Sequence, residues 1–139
     1  MYTKILVAND GSSGGQKAFT AAIELARQLS AELHMATVEE LVRIPASIDE
    51  VAEEKAEANH RFAPVIEAAK AQAQRAGVTI ETHLVPGHVV EAIVRLINER
   101  GFDLLIAGFM GHSQLYERII GGTADRLVRL APCSVLVVK

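Results

Sequence analysis

A chain of 139 residues with a formal charge of -3 and a pI near 5.9 is sized for one domain. It lacks the positive surplus of a general nucleic-acid binder. Half of its residues are hydrophobic, 22% are charged, only 4% are aromatic and none is Trp, which excludes a disordered chain, a coiled coil and an aromatic platform for single strands.

Met1 leads into a short apolar run and then a polar turn, unlike the long apolar core of a secretory leader. That first run, Lys4–Ala8, reads as a strand. The turn after it, Asn9-Asp10-Gly11-Ser12-Ser13-Gly14-Gly15, opens a helix on which Ala18, Ala22, Leu25, Ala26 and Leu29 recur at helical spacing. Leu33–Val38 is the second strand. The connection Glu39–Asp49 is long for a compact domain and is expected to form a flap. A long helix follows over Glu50–Ala76, with Phe62, Val65, Ile66, Ala69, Ala73 and Ala76 in register and the acidic stretch Glu50–Glu57 as its solvated face. Pro64 is expected to kink or restart it, because proline lacks the N–H that the helical ladder needs.

Thr79–Val85 alternates polar and apolar residues, as a half-exposed edge strand does. Val89, Ile93, Leu96 and Ile97 mark the next helix, and Leu104–Gly108 the fourth strand. A glycine-rich stretch from Gly108 to Thr123 then opens a last helix with Ala124, Leu127, Val128 and Ala131 on one face and Arg126 and Arg129 outside. Ser134–Val138 is the closing strand; Cys133 before it has no partner for an internal disulfide, fits a reducing compartment and reads as a small buried hydrophobe. No run approaches the length of a membrane span, so a cytoplasmic protein with neither membrane nor nucleic-acid partner is expected.

Strands alternating with helices specify a parallel sheet with crossover helices. Ile5-Leu6-Val7-Ala8 and Leu104-Leu105-Ile106-Ala107 are continuous apolar runs, as central strands covered on both faces must be. With Thr79–Val85 at an edge, right-handed crossovers give an open five-stranded sheet in the order 3-2-1-4-5, helices on both faces, over one domain spanning 1–139. The winding reverses between strands one and four, and ligands of such sheets bind beyond the strand ends at that point. The loops leaving those two strands are the glycine-rich ones. Glycine allows close approach of backbone amides, and a helix amino end adds unpaired N–H groups and partial positive charge. Asp10, directly after a central strand, is suited to a ribose hydroxyl or a cation. The competing reading has the glycines shaping turns and Asp10 or Ser12 capping the first helix.

No phosphate-binding loop with its lysine is present, nor a G-x-G-x-x-G after the first strand. In Gly108–Thr123 only Arg118 carries fixed positive charge, with His112 as a second option. A triphosphate would therefore lean on backbone amides and a metal ion. His34, His60, His83, His88 and His112 show no ligand spacing along the chain, and no metal site is expected from them.

The pattern Gly108-x2-Gly111-x9-Gly121, with the opening Lys4–Ser12 and the closing Ala131–Val138, resembles the universal stress protein family over the whole chain. That resemblance implies a Rossmann-like fold, homodimers, and ATP or AMP held without vigorous turnover. It also implies a role for each matching residue. Asp10 would meet the ribose, Val38 the adenine, Gly108 and Gly111 the ribose and phosphates, and Gly121, Gly122 and Thr123 the phosphates. The family's ATP-binding signature has Ser or Thr where this chain has Gly122, which removes one phosphate-binding hydroxyl and makes magnesium help more important. A nucleotide-responsive signalling protein with an unidentified protein partner is the leading expectation. A nucleotide-independent interaction module is the alternative, and a slow ATP hydrolase the third, since no general base beyond Asp10 is identifiable. Strand Ser134–Val138, apolar on both faces at a sheet edge, is expected to pair with its copy in a homodimer.

Overall fold

A computed structural model describes residues 1–40, 48–109 and 122–139. It runs β1 (Lys4–Ala8), α1 (Ser13–Leu29), β2 (Glu32–Glu39), α2 (Ile48–Arg75), β3 (Ile80–Pro86), α3 (Val89–Arg100), β4 (Leu104–Gly108), α4 (Thr123–Leu130) and β5 (Ser134–Val138). All five strands are parallel and stand in the order β3-β2-β1-β4-β5, as the burial pattern of the sequence requires. The register aligns Ile5 with Leu33 on one side and with Leu104 on the other.

The period of two divides each strand between two cores. On one face Ile5, Val7, Leu33, Met35, Leu104 and Ile106 pack with Phe19 and Ala22 of α1 and Ala69 and Ala73 of α2. On the other, Leu6, Ala36, Val38, Leu105 and Ala107 meet Ile93, Leu96 and Ile97 of α3 and Leu127 of α4. Phe19 is fully buried, and its truncation to alanine should cost about 3–5 kcal/mol.

Two expectations are adjusted. Pro64 lies inside α2, which is continuous from Ile48 to Arg75, so it does not restart the helix. It sits on the solvent side, where water can serve the carbonyl one turn back that loses its donor. Val128 shares helical spacing with Ala124 and Leu127 but is exposed, because α4 is short and rests only on α3 and β5. Val128 and Leu130 on α4 and Leu136 on edge strand β5 stand 53%, 56% and 40% exposed. Among the described residues no helix is long and apolar enough to cross a membrane.

Candidate functional site

The loop leaving β1 is closed on itself by hydrogen bonds. Asn9, almost fully buried, accepts from the Gly11 N–H at 3.0 Å through Oδ1 and directs Nδ2 at the Met35 sulfur, 3.6 Å away. Its backbone donates to Ala36 O at 3.0 Å and accepts from the Thr37 hydroxyl at 2.9 Å. A buried asparagine so fully partnered is a structural anchor, and the sequence alone gave no role for it. Asp10 Oδ1 accepts from the Ser12 N–H at 2.9 Å, and Ser12 Oγ accepts from the Gly15 N–H at 3.1 Å, capping α1. The chain can turn this tightly because Gly11 adopts φ 85°, open to glycine without strain.

The second loop meets the first. A Cβ on Gly108 would stand 2.4 Å from the Gly14 carbonyl oxygen. Glycine at 108 is thus required to let the amino end of α1 lie against the end of β4. That closeness brings the loop of Asp10 and the loop of Gly108 together at the switch point. Beyond Gly108, Phe109 N donates to Val138 O at 2.9 Å, tying the loop to the end of β5.

The amino end of α4 differs from that of α1. Gly122 is its N-cap, and among the described residues no side chain caps it. Thr123 is half-buried beside it. Among the described residues the first-turn amides of α4 thus meet no N-cap side chain, an arrangement open to an anion. Asp125, exposed in that turn, is drawn toward Arg129 at 3.2 Å. Val38, at the end of β2, is buried in the α3-side core. Gly111 and Gly121 lie outside the described residues, as do His112, Arg118 and most of the connection Glu39–Asp49.

Two observations fall away from this loop cluster. Cys133 is half-buried rather than buried, and burial pushes its thiol up, which disfavours a reactive thiolate. His34, Glu81 and His83 come together near the amino ends of β2 and β3, beside an open cleft of about 640 Å³. No spacing in the chain announces that trio, because His34 and His83 are 49 residues apart and meet only through the β2–β3 register.

The family model described as "Universal stress protein family" matches residues 1–139. Universal stress protein YxiE of Bacillus subtilis is 31% identical over 151 aligned positions, covering all of both chains. A solved universal stress protein in complex with cAMP is 28% identical with a TM-score of 0.78, over 99% of this chain and 97% of that one. The universal stress protein UspA from Lactobacillus plantarum is 26% identical with a TM-score of 0.84, over 99% and 98% of the two chains.

Proposed function

The chain belongs to the universal stress protein family, and on that premise we propose that it binds an adenine nucleotide, ATP or AMP, where the loops after β1 and β4 meet. Occupancy alters how the protein engages a protein partner in a stress response, without appreciable turnover. The observation that carries this reading is the uncapped amino end of α4 at the switch point of the sheet. A solved relative, 28% identical, holds cAMP, and an adenine nucleotide is the ligand class that follows.

In this reading Asp10 receives the ribose and Val38 borders the adenine. Gly108 and Gly111 allow close passage of ribose and phosphates, and Gly121, Gly122 and Thr123 cradle the phosphates with magnesium assisting. A homodimer forms by pairing of β5 with its copy, supported by the edge position of that strand and the exposed Leu136 on it. Val137→Lys should dissociate it in sedimentation at micromolar concentration, and an unchanged assembly would count against pairing there.

A second reading, an interaction module that needs no nucleotide, is favoured by Gly122 standing where a hydroxyl would hold phosphate. Mass spectrometry of small molecules released from protein purified without added nucleotide separates the two. Adenine nucleotide in the released fraction supports the binding reading, and its absence shifts weight to the module.

A further inference from the structure

At the end of the sheet opposite the nucleotide loops, His34, Glu81 and His83 share the face that α3 covers. The register pairs His34 with Glu81 and Ala36 with His83, so the period of two places all three side chains on one side. His34 is 2% exposed and Glu81 55%, with His83 half-buried between. His34 Nδ1 lies 2.8 Å from His83 Nε2 and 3.1 Å from Glu81 Oε2. The rings are 4° from parallel with centres 5.1 Å apart. Combined with so short an N···N contact, that separation means they meet nitrogen to nitrogen in nearly one plane, not face over face.

The buried ring is poorly served by hydrogen bonds alone. Its Nε2 has no hydrogen-bond partner among the described residues, and the nearby acceptor is Glu32 Oε2 at 3.4 Å. A proton on Nδ1 leaves the Nε2 lone pair facing the Glu32 carboxylate, two acceptors against each other. A proton on Nε2 points at Glu32 and leaves the Nδ1 lone pair converging with His83 Nε2 and the Glu81 carboxylate. That second tautomer is a coordination set backed by a carboxylate, the usual support of a metal-bound histidine.

We propose that His34 Nδ1, His83 Nε2 and Glu81 bind a divalent d-block cation, with Glu32 orienting His34 from behind. Two imidazoles and one carboxylate suit zinc, cobalt, nickel or copper rather than magnesium or calcium. Metal–nitrogen bonds of 2.0–2.1 Å in a tetrahedral site set donors about 3.3 Å apart. The half-buried His83 ring, on an edge strand, must therefore give way by about half an ångström and tilt, so that the two lone pairs converge on the ion instead of on each other. Arg100 reaches the other Glu81 oxygen at 3.8 Å and Lys4 reaches Glu32 at 3.9 Å, which keeps the Glu81 Oε2 turned to the nitrogens. The fourth position is left to water, which the exposed Glu81 side of the trio admits. Without a cation one ring's N–H donates to the bare nitrogen of the other across that contact, and binding moves this proton to the same ring's other nitrogen. The bound ion ties edge strand β3 to β2.

The test is a cobalt titration of the untagged, metal-stripped full chain, read by visible absorption and repeated with zinc by calorimetry in two buffers of different ionisation heat. The expected result is tetrahedral cobalt bands saturating at one ion per chain, displaced by equimolar zinc and unaffected by a hundredfold excess of magnesium. Zinc heats should agree between the two buffers, because the proton only changes nitrogen, and zinc should raise the melting temperature. His83→Gln and Glu81→Gln, at sites open enough to keep the fold, should each weaken binding about tenfold or more, and Glu32→Gln about tenfold. A triple variant His60→Gln, His88→Gln, His112→Gln should bind as the native chain does. Absence of cobalt bands at tenfold excess, bands undiminished by His83→Gln, or bands lost in the triple variant would each overturn the proposal.

Discussion

Two helices begin at the carboxyl edge of this sheet, and they begin in opposite ways. At α1 every nearby acceptor is turned inward: Asn9 holds the Gly11 amide, Asp10 the Ser12 amide and Ser12 the Gly15 amide. At α4 the N-cap is Gly122, which has no side chain to offer. Both helix ends carry the same intrinsic preference for negative charge. The first uses it on its own loop, and the second has no N-cap side chain to use it on. On the reading proposed above, the α1 turn is held rigid to present Asp10 and the α4 end meets the phosphates, although both looked alike as glycine-rich sequence.

The contrast can be broken most severely where the two loops touch. Gly108→Ala would drive a methyl group to within 2.4 Å of the Gly14 carbonyl, a backbone atom that cannot turn aside. Overpacking of this kind should cost about 3 kcal/mol, read as a lower urea midpoint with an unchanged slope. Stability within about 0.5 kcal/mol of native would mean that α1 does not need its close seat on β4.

Giving α4 the hydroxyl it lacks sharpens the comparison. Gly122→Ser should tighten ATP by about 1.5–3 kcal/mol, roughly ten- to a hundredfold, and leave adenosine unchanged, because the hydroxyl meets only phosphate. Equal tightening of both ligands would place the effect on helix order rather than phosphate contact. The smallest effect belongs to the cap that is already made. Ser12→Ala should cost about 1 kcal/mol of stability and leave ATP affinity within twofold. A loss of ATP affinity comparable to the stability loss would show that the Ser12 cap also sets the position of Asp10 for the ligand.

Much of the architecture was legible in the chain. The apolar runs Lys4–Ala8 and Leu104–Gly108 marked central strands, and the alternation around Glu81 and His83 marked an edge, which together ordered the sheet. What escaped was set by contacts between distant segments. The close seat of Gly108 on Gly14 is visible only once α1 is docked. Asn9 carried no pattern, because its value lies in reaching Met35 and Thr37 on the adjacent strand. Val128 fitted the apolar face of its helix yet is exposed, since helical period says which residues align and not how wide the covering surface is. His34 and His83 read as isolated histidines until parallel pairing brought them to 2.8 Å.

Calorimetry of ATP, AMP and adenosine with magnesium, against the native chain and Gly122→Ser, tests the nucleotide reading most directly. The reading predicts measurable ATP binding by the native chain, tightened by the serine while adenosine stays as it was. Native protein that gives no heat with any of the three, and a serine variant that restores none, would contradict it and leave the nucleotide-independent module in its place.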